Sequence, residues 1–283
     1  MKIGIIGASG FLGKNLYKSL KKEKSLKIIK YSSFKKEKKN WINKVSKEIC
    51  FNKPEVIINC SSSQFLNDDE KSIRQLIETN ITSQSIFLKN ALKNKQFKSY
   101  ITFGTKWELD SKGKTKPVNF YAATKKAVDE ILKLFCLDYK LSIYSLKIFD
   151  TYGKNDKRKK FLNLLKENYK KNKLLKTTAG NQLLDLVNIV DLVDLIKIIL
   201  KDIISKRKIG FFTYTVSSKK PIKLKNLVKK LMPVLNKKLK ISIGSLKYRS
   251  KETMQPMKKT FNYPGWKPKR KLIKELKKIF DNI

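Results

Sequence analysis

The chain opens Lys2-Ile3-Gly4-Ile5-Ile6-Gly7-Ala8-Ser9-Gly10-Phe11-Leu12-Gly13. Lys2–Ile6 is an apolar run of strand length, and a helical pattern starts at Phe11 and continues to about Lys22. Between them glycines recur at 7, 10 and 13. The first permits a tight turn, the second lets a pyrophosphate approach the backbone, and the third allows helix and strand to pack closely. N–H groups at the helix start then face the pyrophosphate. Strand, glycine turn and helix in this order make Gly7, Ser9, Gly10, Phe11, Leu12 and Gly13 candidate dinucleotide-binding residues.

Outward from this turn, strand-like and helix-like segments alternate over the first 150 or so residues. Strands are expected at Leu26–Tyr31, Glu55–Asn59, Lys98–Phe103 and Leu141–Phe149. Helices are expected at about Glu37–Cys50, at Asp69–Leu92 with a break near Asn80, and at Tyr121–Leu137. Alternation of this kind predicts an α/β fold, a Rossmann-like doubly wound parallel sheet. Beyond Tyr152 the pattern is less regular: helices at Phe161–Lys171, within Leu186–Ile204, at Ile222–Leu235 and at Leu272–Phe280, with short strands at Phe211–Val216 and Lys240–Ile243. The expected division is a cofactor domain over residues 1–152 and a smaller C-terminal α/β substrate lobe over 153–283, partly interleaved with the first.

The second strand ends in Tyr31-Ser32-Ser33-Phe34-Lys35-Lys36. NAD ordinarily takes a carboxylate at this place for its ribose 2′-hydroxyl. Hydroxyls and lysines suit a 2′-phosphate, so Ser32 and Lys35 point to NADP, with NAD as the alternative.

The chain has no histidine. That removes the commonest general base and the commonest metal ligand together, and no metal site is expected. Acid–base chemistry falls to Tyr, Lys, Cys or a carboxylate. Tyr121-Ala122-Ala123-Thr124-Lys125 opens a predicted helix and sets a phenol and an ammonium one turn apart on one face. The ammonium is expected to lower the phenol's pKa toward a working range. Gly104-Thr105, at the end of the preceding strand, offers a hydroxyl to steady a substrate oxygen.

These features together resemble the extended, sugar-nucleotide branch of the short-chain dehydrogenase/reductases, the NAD-dependent epimerase/dehydratase type. Further stretches carry the resemblance along nearly the whole chain. Phe149-Asp150-Thr151-Tyr152-Gly153 is similar to the N-x-Y-G segment, and Gly180–Asp191 to G-x-Q-x-R-D-x-x-x-V-x-D. Tyr248–Glu252 is similar to Y-R-x-x-E, and Gly265–Pro268 to G-W-x-P. The resemblance implies catalysis by Thr105, Tyr121 and Lys125. It also implies cofactor contacts at Cys60, Ser61, Tyr121 and Lys125, and substrate contacts at Ser62, Asp150, Gln182 and Arg249. Departures are plain: Asp150 replaces Asn, Leu184 stands where an arginine grips the diphosphate, the Thr105–Tyr121 loop is short, and a strand after Tyr31 is missing.

The resemblance narrows the reaction as well. Family 4,6-dehydratases carry Asp-Glu directly after the threonine, where this chain has Lys106-Trp107. Reduction or epimerisation remains, most simply at C4 of a nucleotide-activated deoxysugar for surface polysaccharide such as O-antigen, with CDP or dTDP favoured as the nucleotide. Family members are commonly dimers, so a homodimer is expected.

Composition supports a soluble, cytoplasmic protein without membrane insertion. No apolar run is long enough to span a bilayer, the start lacks a signal-peptide pattern, and Cys50, Cys60 and Cys136 are scattered. The net charge of +43 invites a nucleic-acid reading. The excess is lysine spread from end to end, with five arginines only, so no specific nucleic-acid partner is expected. The alternative reading is a non-catalytic NADP-binding regulator or RNA-associated protein on the same fold.

Overall fold

The computed structural model describes residues 1–31, 40–63, 69–206, 208–249, 252–255 and 260–281. Ser32 and Lys35 lie outside these residues. Five strands of the N-terminal half, β1 (Lys2–Ile6), β2 (Lys27–Lys30), β3 (Val56–Asn59), β4 (Ser99–Thr105) and β5 (Ser142–Ile148), join one sheet with the later strand Gly210–Val216. Every pairing in it is parallel, and the order from one edge is Gly210–Val216, β5, β4, β3, β1, β2. All four residues of β3 and all seven of β4 are buried, as expected of strands covered on both faces.

One face packs Ile3, Ile5, Val56 and Ile58 against α1 (Phe11–Leu20) and the helix Ile189–Ser205. The other packs Ile6, Ile57, Tyr100 and Ile143 against the helices Trp41–Asn52, Ser83–Ala91 and Phe120–Tyr139. A third, smaller core gathers Leu165, Leu227, Leu231, Leu276 and Phe280 from the later helices. The sequence pattern changes at Tyr152, yet the chain beyond it returns a strand to the main sheet and a long helix to its face. Val216 pairs level with Ile148, so the returning strand is in full register with β5.

From β1 the chain steps to β2 on one side and then to β3 on the other. The carboxyl ends of β1 and β3 therefore flank the reversal of strand order, where doubly wound sheets bind their ligands. Among the described residues no strand lies outside β2, in keeping with the short interval between Tyr31 and Glu55. Among them, too, no helix is long and apolar enough to cross a membrane.

Candidate active site

A cavity of about 320 Å³ opens at the carboxyl ends of β1, β3, β4 and β5. Gly10, Phe11 and Leu12 line it from the start of α1; Cys60, Ser61 and Ser62 from the turn after β3; Thr105 from β4. Tyr121, Lys125 and Asp150 complete the predicted residues that meet there.

The glycine turn does what its spacing requires. Gly7 sits at φ +75°, and a Cβ there would stand 2.7 Å from the Ser61 nitrogen. A Cβ on Gly13 would stand 2.3 Å from the Gly7 carbonyl oxygen. β1, α1 and the β3 turn are thus in backbone contact that side chains would break. The N-cap of α1 is Gly10, with no side-chain cap and no acidic residue in the first turn. Its first N–H groups are open to an anion, and the cradle fits a dinucleotide pyrophosphate. Ser9 is exposed beside it.

Polar pins fix the opposite wall. Asn59 Oδ1 accepts from the Ser61 amide at 3.0 Å and from the Ser61 hydroxyl at 2.6 Å, while Asn59 Nδ2 donates to the Tyr100 hydroxyl. The helix expected to break near Asn80 instead continues through a π turn, Glu78–Thr82, between Glu70–Ile77 and Ser83–Ala91. The wide turn brings Asn80 inward. It accepts from Ser62 Oγ and the Ser63 amide, and donates to Thr124 Oγ1 at 3.1 Å. One amide thereby joins the Ser62 loop to the helix that carries Tyr121 and Lys125.

Tyr121 and Lys125 rise from the first turns of the Phe120–Tyr139 helix, capped by Asn119 Oδ1 accepting from the Ala122 amide at 2.9 Å. Lys125 is 3% exposed. Ser62 is a hydrogen-bond neighbour of the Tyr121 phenol, and the Trp107 ring meets the phenol ring edge-on at 6.3 Å between centroids. The expected lowering of the phenol's pKa is not what this site shows. Burial pushes Tyr121 up to about 12, with Ser62 acting the other way, and burial pulls Lys125 down to about 8. Desolvation acts on both groups more strongly than their neighbours do. Thr105 Oγ1 accepts from the Trp107 amide at 3.3 Å, which leaves its hydroxyl hydrogen free to donate into the cavity.

Asp150 occupies a nest of cations. Lys106 Nζ reaches Asp150 Oδ2 at 2.5 Å, and Lys160 and Arg158 lie close enough to act on it. Burial opposes the carboxylate, but the Lys106 and Lys160 ammoniums hold it below the usual range. Lys106, Arg158 and Lys160 all line the cavity, and none was picked out by motif. Arg158 lies over the Phe11 ring, 4.4 Å from its centroid, and is held by both Asp156 oxygens. Being one of five arginines was its only signal; the lysines were hidden among their many equivalents.

Two predicted substrate residues do not meet the others. Gln182 is buried against Thr178 Oγ1, and Arg249 is exposed. Neither lines this cavity. The motifs that contain them serve as fastenings. The Tyr248 hydroxyl accepts from the Asn181 amide, Asp185 Oδ1 from the Ser218 amide, and the Asp191 carbonyl from Trp266 Nε1.

Sheet order, glycine cradle and the convergence of Thr105, Tyr121 and Lys125 place the chain in the Rossmann-like doubly wound class. Within that class, it belongs to the NAD dependent epimerase/dehydratase family, whose model matches residues 3–210. It is 28% identical over 275 residues to CDP-abequose synthase of Yersinia pseudotuberculosis, covering 90% of this chain and 92% of the relative. Among solved structures it is similar to UDP-glucuronic acid 4-epimerase of Bacillus cereus in complex with UDP-glucuronic acid and NAD. That match has a TM-score of 0.83 at 18% identity, over 99% of this chain and 98% of the other. The RMD protein of Pseudomonas aeruginosa complexed with NADPH matches with TM-score 0.76 at 15% identity, over 100% and 99% of the two chains.

Proposed function

We propose that the protein reduces or epimerises a sugar carbon, C4 by preference, of a nucleotide-activated deoxysugar, with a nicotinamide dinucleotide as hydride carrier. One observation carries the proposal: Thr105, Tyr121 and Lys125, from two different elements, are buried together in the crevice that the glycine turn opens. A non-catalytic binding module or RNA-associated protein has no use for this set.

Gly10, Phe11 and Leu12 would hold the dinucleotide pyrophosphate at the start of α1, and a bound reduced nicotinamide would supply the hydride. The residues of this chain handle the oxygen. Thr105 donates its free hydroxyl hydrogen to the carbonyl, and Tyr121 delivers the proton as negative charge develops on the oxygen. Lys125, charged at neutral pH, stabilises the phenolate that this leaves. Lys106-Trp107 and the fully buried Glu108 leave the crevice without the acidic pair of a dehydratase.

CDP as the nucleotide is supported by the relative named CDP-abequose synthase, and a role in surface polysaccharide such as O-antigen is part of the proposal. With Leu184 in place of arginine and Arg249 at the surface, Arg158 and Lys160 are the cations best placed to meet the substrate diphosphate. NADP remains the preferred cofactor on Ser32 and Lys35, with structures of similar fold bound to NAD and to NADPH. A cytoplasmic homodimer is part of the proposal. Leu134 and Leu137 on the Phe120–Tyr139 helix, and Ile86 on the neighbouring Ser83–Ala91, are exposed apolar residues suited to its interface.

The test is titration with NADPH and NADH, then a panel of CDP-, dTDP-, UDP- and GDP-linked 4-keto-6-deoxysugars with wild type and Tyr121→Phe. Loss of the phenolic hydroxyl is expected to lower kcat by about 10²–10⁴ with cofactor affinity retained. Equal turnover in the variant would overturn the assignment.

A further inference from the structure

Behind the crevice floor lies a cluster of charge that the proposed chemistry does not touch. Glu108 is 0% exposed, and Lys147 and Asp129 are each 2% exposed. Lys147 Nζ donates to Glu108 Oε2 and, at 2.5 Å, to Asp129 Oδ2. The other carboxylate oxygens are also used: Asp129 Oδ1 accepts from Ser145 Oγ at 2.8 Å, and Glu108 Oε1 from the Thr105 amide at 2.7 Å. Gly104 makes room for them, since a Cβ there would stand 2.3 Å from Glu108 Oε1 and 2.7 Å from Lys147 Nζ. Three elements are tied at one point: the turn after β4, β5 and the Phe120–Tyr139 helix.

Buried ion clusters are weak sources of stability, because desolvation offsets their attraction and apolar replacements often do as well. Their placement therefore matters more than their number. Tyr121, Lys125 and Asp129 recur at intervals of four on one helix, so the cluster begins one turn below the Lys125 ammonium. With both carboxylates ionised around one ammonium the cluster carries one negative charge, which matches the single positive charge of Lys125. Burial raises the Glu108 carboxyl against that form, and the Lys147 ammonium and the Thr105 amide act to keep it ionised. The charged and titratable groups acting on Lys125 are Glu108, Lys147 and Asp129, with the Cys60 thiol, which burial keeps neutral. For Lys147 itself burial works against the charge, but Asp129 and Glu108 outweigh it and hold the ammonium above its usual range.

We propose that Glu108, with Lys147 and Asp129, is a positioning device for the reaction: it fixes Thr105 through its amide and supplies the negative charge that keeps Lys125 cationic in a dry crevice. It rests on the reading of Thr105, Tyr121 and Lys125 as the reacting set. Glu108 is fully buried and does not line the crevice; it acts through Thr105 and Lys125.

The experiment reads Lys125 without any substrate. Trace acetylation with acetic anhydride across a pH series, resolved peptide by peptide by mass spectrometry, gives the midpoint at which Lys125 loses its proton. In Glu108→Gln the amide oxygen still accepts from Thr105 but the charge is gone. The midpoint is expected to fall by about one pH unit, from about 8 to about 7, a roughly fivefold rise in neutral Lys125 at pH 7. Asp129→Asn is expected to move it the same way, and Glu108→Asp, which keeps the charge, to restore it. The alkaline limb of the kcat profile should follow the labelling midpoint while KM stays nearly constant. A folded Glu108→Gln protein whose Lys125 midpoint equals that of wild type would overturn the proposal. Should wild type turn over none of the sugars, the functional reading fails, and the labelling result still decides whether the cluster controls Lys125.

Discussion

At the scale of single residues, the site depends on how far burial displaces its acids and bases. The notion that Lys125 alone prepares Tyr121 is too simple, because desolvation drives the two groups apart, each toward its neutral form, the phenol up to about 12 and the ammonium down to about 8. A lysine is cationic below its pKa, so Lys125 carries its charge at pH 7 and loses it as the pH rises through about 8. Turnover in the reducing direction should therefore be level near neutrality and fall above about pH 8, up to tenfold per unit. A kcat profile from pH 6 to 10 at saturating cofactor checks this, and a plateau extending past pH 10 would contradict it. That Thr105, Tyr121 and Lys125 would meet in one crevice was legible because the chemistry proposed for them needs particular residue types at particular spacings. Arg158, Lys160 and Lys106 were not, since a cation's usefulness depends on where the loop after Tyr152 folds. For Arg249 a matching motif fixed the residue's identity but not its exposure, and it lies outside the crevice lining.

At the scale of elements, close approach of backbone decides most of the geometry. Gly13 is packed against Gly7 and Ala8, with a hypothetical Cβ 2.3 Å from one carbonyl oxygen and 2.8 Å from the Ala8 Cα. Gly13→Ala must push α1 away from β1. A loss of about 1–3 kcal/mol is expected, as for other overpacked sites, together with weaker cofactor binding. Thermal melts and NADPH titration measure both, and unaltered affinity would show the turn to be less constrained than its contacts suggest. The strands of the main sheet and the helices packed on it were readable to within a few residues because a parallel sheet writes itself as short apolar runs, whereas the short strands Leu175–Thr177 and Leu183–Leu184 were not expected. What the sequence could not show was the π turn at Asn80. A polar residue amid helical periodicity looks like a break, and only the buried partners Ser62, Ser63 and Thr124 explain why the helix widens there and continues. The strand Gly210–Val216 was recognised, but its return to β5 was hidden by 57 intervening residues between Tyr152 and Gly210.

At the scale of the molecule, positive charge and exposed apolar side chains are both spread along the chain, and the two most exposed leucines among the described residues share one helix. Leu134 and Leu137 are 58% and 78% exposed on the helix that carries Tyr121 and Lys125. If they form the dimer seam, Leu134→Glu with Leu137→Glu should convert a species of twice 32.9 kDa to one of 32.9 kDa in sedimentation equilibrium. Wild type sedimenting as a monomer at micromolar concentration would remove the homodimer from the proposal. The truncated flank of the sheet has a consequence of its own. Among the described residues β2 has a neighbour on one side only, and it begins and ends with an exposed lysine, Lys27 and Lys30. An outermost strand is a ready template for accretion of further chains, and like charges at both ends make a second copy settle there only against repulsion. Among the described residues, this chain's outer strand thus carries its own guard against sticking to a neighbour.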